Sequence, residues 1–315
     1  MLKPKDFLQH YGRQVGTFVG LIALSSILWM LSPHFLTISN LLNVAQQTAI
    51  NAIIAVGMTF VIVTAGIDLS VGSIVALSGV VLGSALQNGV PLPIALLIAL
   101  GVGTVCGAVN GALITLGGLP PFISTLGMMS VARGAALMYT EGRPVSGFGE
   151  DFRFLATGEL LKIPTPIIIM LAVYLLAHFI LTRSKLGRYA YAIGGNEQAA
   201  LLSGVNTRLY KTIIYGLSGM LSGLAAIILT ARLNSAQPIA GINYELDAIA
   251  AAVIGGTSLM GGEGTLIGTL IGALIMGVLR NGLNLLGVSS FLQQIVIGSV
   301  IIVAVLLDMM LKKQK

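Results

Sequence analysis

Asp68 stands in Gly66-Ile-Asp-Leu-Ser-Val-Gly72, between two long apolar runs. An ionisable group at that depth can ligate a cation or relay a proton. The same residues also suit the start of a helix, because the side-chain oxygens of Asp68 and Ser70 can accept from free N–H groups of the first turn. Of the two readings, capping is favoured. Arg133 lies near the middle of a later apolar run, where a guanidinium must face protein or a water-filled cavity rather than lipid. It can meet a polar solute there, or bond helix-end carbonyls, which is the favoured reading. Arg280, nearer the end of its run, is expected to snorkel toward the membrane surface.

Amides and hydroxyls also fall inside apolar runs: Asn51, Thr59, Thr64, Asn110, Asn281, Asn284, Gln293 and Gln294. Amides both donate and accept, so they can line a path for a neutral hydroxylated solute, and they can equally join helices. Asn51, Asn110, Arg133 and Asn284 are the candidates for a translocation path. The lone cysteine, Cys106, and the three scattered histidines His10, His34 and His178 give no cluster suited to a metal. No metal or cofactor is expected.

The absences restrict the chemistry further. The chain has no G-x-x-x-x-G-K-[ST] phosphate loop, no H-E-x-x-H, and no nucleophile elbow in a credible context. Gly255 to Gly264 is glycine-rich but lacks the lysine of a phosphate loop. No energy source is visible in the chain itself, and an intramembrane enzyme would lack its nucleophile, base or metal ligands.

The elements that must position these residues follow from composition. Of 315 residues, 56% are hydrophobic and only 9% charged, against roughly 25% charged in soluble domains. This excludes a soluble globular protein. The 40 glycines sit inside apolar runs, which points to close helix packing rather than disorder. The expected fold is all-α, a polytopic membrane protein of about ten transmembrane helices forming one transmembrane domain over 1–315. The spans are near 15–32, 44–65, 70–87, 92–116, 122–140, 164–182, 212–231, 246–260, 264–284 and 291–311, each near the length of about 20 apolar residues that a crossing needs. The span near 246–260 is short and ends in Gly255-Gly256, so it is expected to be broken or partly re-entrant. The first run ends in Ser32-Pro33-His34 without a small-x-small cleavage pattern and reads as a retained helix.

Basic residues set the orientation. With the N-terminus inside, the inner side holds Lys3, Lys5, Arg13, Arg183, Lys185, Arg188, Arg208, Lys211, Lys312, Lys313 and Lys315. The outer side holds Arg143, Arg153, Lys162 and Arg232. This asymmetry predicts both termini in the cytoplasm. The net charge of +6 is explained by that rule, and no continuous basic face suggests nucleic acid. Two outer loops, 141–163 and 232–245, carry mixed charge of the kind that steers a soluble protein to its dock.

Between the sixth and seventh spans lies the most polar stretch, 183–211. Gly194-Gly195 is expected to break the chain there. Asn196 can serve as N-cap, Glu197 suits the positive end of a helix, and Gly204 can supply a left-handed cap, giving a short helix over 197–203. Ala199, Ala200, Leu201 and Leu202 give that helix an apolar surface. A partner protein or the chain's own membrane domain would have to cover it.

Taken together, Gly66-Ile-Asp-Leu-Ser-Val-Gly72, Asn51 to Thr59, Gly187-Arg188-Tyr189 to Gly204, Ala231 to Pro238, Tyr244 to Ala250 and Asn281 to Ser289 resemble the permease subunits of bacterial ABC-type sugar importers, and among them those that carry ribose. The resemblance covers nearly the whole chain. It implies a bacterial inner-membrane protein that moves a monosaccharide from periplasm to cytoplasm. It also implies a homodimer, a separate cytoplasmic ATP-binding subunit, and a periplasmic sugar-binding protein. The coupling residues it implies are Gly187, Arg188, Gly195, Asn196, Glu197, Ala199, Ala200 and Gly204. The family's docking pattern has Glu-Ala-Ala followed by glycine, whereas Glu197-Gln198-Ala199-Ala200 precedes Gly204 here. The alternative is a secondary transporter driven by an ion gradient. It needs a titratable group at midplane, and Asp68 is expected too close to a membrane face, while Arg133 is a poor proton carrier.

Overall fold

The computed structural model describes residues 4–313. Lys3 and Lys315, together with the side chains of Lys5, His10, Arg13, Lys312 and Lys313, lie outside the described residues. Among the described residues the chain is helical nearly throughout. The first five helices are α1 (Pro4–Leu31), α2 (Ile38–Val63), α3 (Val71–Gln87), α4 (Leu92–Thr115) and α5 (Pro121–Thr140). There follow α6 (Glu150–Thr157), α7 (Thr165–Arg183), α8 (Lys185–Gly195), α9 (Glu197–Leu202) and α10 (Thr207–Leu233). The last three are α11 (Tyr244–Ile254), α12 (Leu266–Leu285) and α13 (Ser290–Lys313). Two short ribbons are built from β1 (Val145–Ser146), β2 (Glu159–Leu160), β3 (Ile163–Pro164) and β4 (Ser235–Ala236), with β1 antiparallel to β4 and β2 to β3.

Proline in the first turn starts α4, α5 and α7, where its fixed φ suits the helix and its missing N–H costs nothing. Among the described residues six helices, α1, α2, α4, α7, α10 and α12, are long and apolar enough to cross a membrane. At about 1.5 Å per residue, α3 and α11 reach only about 25 and 16 Å, less than the roughly 30 Å hydrocarbon core.

The centre is made by α2 and α10, which present almost no surface along their middle turns. In lipid, helices gain little from burying apolar groups against one another, so association rests on close approach and polar ties. Both are present. Gly103, Gly107 and Gly111 of α4 lie against the α10 backbone at Gly219, Tyr215 and Thr212, where a Cβ would collide. Thr59 bonds Thr269 at 2.7 Å, joining α2 to α12. Asn40 and Asn281 exchange amide hydrogen bonds of 3.0 and 2.9 Å between the same two helices.

The expected break at Gly194-Gly195 falls at their end: α8 includes both glycines and stops on Gly195, and Asn196 separates it from α9. At Gly194 the missing side chain also serves packing. A Cβ on Gly194 would meet the Val63 carbonyl at the end of α2, a carbonyl that already accepts from the Gly262 N–H at 2.9 Å.

The stretch expected as a span over 246–260 is helical only from Tyr244 to Ile254. The chain before it, 237–243, is non-helical and runs beside α3. Ala236 packs at Gly83, and Gly241, with φ +72°, packs at Gly72. Those two glycines are eleven residues apart, or about 16 Å along the helix. Here α11 starts deep inside the bundle. The order long helix, non-helical turn, short helix, then two more helices occurs twice, over α2–α5 and α10–α13.

Candidate translocation and coupling sites

The two short helices begin at two buried acids. After α2, the chain turns at Ala65, with φ +60°, and Asp68 is carried back among α10, α4 and α5. Asp68 is fully buried. One carboxylate oxygen accepts from the Ser70 N–H at 3.0 Å and the Ser70 hydroxyl at 2.6 Å, and the other accepts from the Ser218 hydroxyl of α10 at 2.9 Å. Asn110 of α4 donates to Ser70 Oγ at 2.9 Å. The Tyr215 hydroxyl donates to the Ile67 carbonyl at 3.3 Å.

This corrects two expectations. Ser70 holds the N-cap position of α3 but makes no side-chain cap, because its hydroxyl is turned to Asp68. Asp68 itself is not at a face of the bundle, since the fold-back after Val63 returns it to Ser218, which packs on Gly57, six residues inside α2. Both its oxygens are met by protein donors, which makes it a tie between elements rather than an open ligand group.

The second acid stands in the first turn of α11. Asp247 is 3% exposed, and Arg280 of α12 grips both its oxygens at 2.9 and 2.8 Å. The Asn51 amide of α2 donates to it at 3.1 Å. Arg280 therefore does not snorkel as expected; a buried carboxylate one helix away captures the guanidinium, because an unpaired charge there would be costly. Gln293 of α13 donates to Asn284 Oδ1 at 2.8 Å. Beside the pair opens a cleft of about 490 Å³ between α11, α12 and α13, and a smaller cavity of about 30 Å³ leads toward α2.

Arg133 Nη1 donates to the carbonyls of Pro238 and Ala240, both at 2.7 Å. Non-helical backbone within a membrane bundle must have its polar groups satisfied by protein, and Arg133 does this for the segment that leads into α11. The four path candidates are therefore not brought together. Asn51 reaches the Asp247 pair, Asn284 is linked to the cleft by Gln293, Asn110 belongs to the Asp68 network, and Arg133 holds the non-helical segment. Asp247, absent from those four, is the acid that Asn51 and Arg280 hold beside the cleft. Two acids in Tyr244-Glu-Leu-Asp-Ala-Ile-Ala250, set in an otherwise apolar run, were the available signal.

The polar stretch 183–211 folds as α8, α9 and the first turn of α10. Ser184 caps α8 at the Gly187 N–H, 3.3 Å, and Asn196 caps α9 at the Ala199 N–H, 2.9 Å. Gly204 has φ +83°, the left-handed region that ends a helix. Gly187 lies against the Leu181 carbonyl without room for a Cβ, and Arg188 donates to the Arg183 carbonyl at 3.2 Å. Glu197 pairs with Lys211 at 2.7 Å. The Tyr191 hydroxyl donates to the Gly264 carbonyl at 2.6 Å, and burial pushes that phenol up from its ordinary pKa. Of the apolar residues of α9, only Ala200 is buried. Leu201 is 58% and Leu202 88% exposed, while Gly195 and Ala199 also lie open. The chain's own helices do not cover this surface.

Residues 40–305 match the family described as branched-chain amino acid transport system, permease component. The ribose import permease protein of Haemophilus influenzae is 50% identical over 303 residues, 95% of this chain and 94% of that protein. The protein of the same name from Escherichia coli K12 is 53% identical over 296 residues, 93% of this chain and 92% of that protein. Its Bacillus subtilis counterpart is 52% identical over 298 residues, 94% and 92% of the two chains. No solved structure matches the chain.

Proposed function

The chain belongs to the family of branched-chain amino acid transport system permease components, and from that premise we propose that it is the membrane-spanning subunit of an ABC importer carrying ribose from periplasm to cytoplasm. It is a transport component of the bacterial inner membrane rather than an enzyme. The observation that carries the substrate is identity of 50–53% to ribose import permeases across nearly the full length of both partners.

The working unit in this reading is two copies of the chain with a cytoplasmic ATP-binding subunit and a periplasmic sugar-binding protein. Both termini lie in the cytoplasm, and about ten segments enter the bilayer, with α3 and α11 as the short, deep-starting ones. The ATP-binding subunit docks on α8 and α9. Three features of those helices support this role: the caps at Asn196 and Gly204 fix α9 as a rigid body, Leu202 is left open, and α8 is anchored to the end of α2 at Gly194. Closure of the ATPases then moves α9, and packed helices pass the motion on as a discrete rearrangement.

Proteoliposomes holding the chain, its ATP-binding subunit and the sugar-binding protein are expected to accumulate D-ribose only when ATP is supplied. Accumulation by the chain alone under an imposed proton or sodium gradient would overturn the assignment in favour of a secondary transporter.

A further inference from the structure

We infer that the cleft between α11, α12 and α13 is a sugar-contact site, in which Asp247, Arg280 and Gln294 bind the hydroxyls of ribose on its way through the membrane. This rests on the transport reading above and adds to it the residues that touch the solute.

Size and lining agree with a small polyol. The cleft, at about 490 Å³, falls within the roughly 300–1,000 Å³ of small-ligand sites. Asp247, Arg280, Asn243, Gln293 and Gln294 supply donors and acceptors, with Leu246 and Ile297 as apolar wall. A sugar needs both, since its hydroxyls donate and accept while its C–H faces are apolar. Charged partners such as carboxylate and guanidinium make the stronger hydrogen bonds.

A second observation is independent of the cleft. The smaller cavity shares Asp247 and Arg280 with it and is lined on its inner side by Thr48 and Asn51. Thr48 Oγ1 and Asn51 Oδ1 are buried there without a hydrogen-bond partner among the described residues. A buried polar atom left unbonded costs about 1–3 kcal/mol. Two such atoms, one turn apart on α2 and facing the same cavity, form a polar ladder continuing inward from the ion pair. Gly277 gives it its width, because a Cβ there would strike Thr48 Oγ1. The Asp68 network, where each carboxylate oxygen is met by protein donors, has no such open atoms.

The test is uptake by the complete importer in proteoliposomes, with one and the same sugar-binding protein throughout, for D-ribose, 2-deoxy-D-ribose and 3-deoxy-D-ribose. Gln294→Ala and Asp247→Asn are each expected to lower ribose uptake at least fivefold. They are also expected to shrink the preference for ribose over one of the deoxy sugars at least threefold, because the side chain and the hydroxyl it binds are lost together. The sugar-binding protein's own preference cancels in that ratio. Gln294 lines the cleft, and Gln294→Ala leaves the Asp247–Arg280 pair in place and decides the matter where Asp247→Asn fails to assemble. A wild type indifferent to both hydroxyls, or variants that lower all three sugars by one factor, would reduce the pair to a tie between α11 and α12 and overturn the inference. A wild-type assembly that carries no ribose at all overturns the transport reading itself.

Discussion

Asp68 and Asp247 occupy matching places: each is a buried acid at the start of a short helix that follows a non-helical turn. Their surroundings differ. Asp68 is closed off by hydroxyl and backbone donors from its own turn and from α10, with Asn110 of α4 behind Ser70. Asp247 is held by a half-exposed arginine and an amide, beside a cleft and two unbonded buried oxygens. A carboxylate whose oxygens are both met by neutral donors fixes geometry and offers nothing to a solute. One whose partners also face open space can exchange some of those bonds for a passing hydroxyl. The same local pattern thus yields a lock in one half of the chain and a contact site in the other.

The comparison breaks most readily at Asp68. Asp68→Leu leaves Ser70 and Ser218 without their acceptor and is expected to cost about 3 kcal/mol or more, read as loss of folded protein and a lower thermal midpoint in detergent. Asp68→Asn keeps part of the network and should fall between. If Asp68→Leu instead assembled normally and lost only transport, Asp68 would be a solute site and the contrast with Asp247 would vanish.

A smaller effect is expected from Arg133→Ala, which strips two carbonyls of their donor at a cost of about 2 kcal/mol. Hydrogen exchange should quicken in 237–246 while the rest of the chain keeps its protection. Uniform loosening would deny Arg133 its local role. The smallest effect on stability belongs to Leu202→Ser. An exposed side chain in no internal contact should shift stability by no more than about 0.5 kcal/mol, yet co-purification of the ATP-binding subunit should weaken. Undiminished co-purification would take the open face of α9 out of the coupling surface.

Much of this was legible locally. Asn196 and Gly204 mark the ends of α9 because capping depends on residues three or four apart. The weak point near Gly255-Gly256 announced itself through glycine and shortness: α11 ends at Ile254 and 255–265 is non-helical, while the non-helical stretch 237–243 before α11 carried no such signal. Arg133 as a donor to carbonyls was also within reach, since a guanidinium in an apolar helix has few other outlets. The partners of Asp68 and Arg280 were not. Ser218 is 150 residues from Asp68, and Asp247 is 33 from Arg280 on another helix. Reading Arg280 alone, solvent was the cheapest expected partner.

Composition and apolar periodicity determined that this chain is helical and lives in a membrane, and cap residues determined where α9 starts and stops. Both rest on interactions within one or two turns. Which acid is sealed and which opens on a cleft was decided only when α2, α10, α11 and α12 packed together. Desolvation and pairing depend on what arrives from elsewhere in the chain, and no local spacing encodes that.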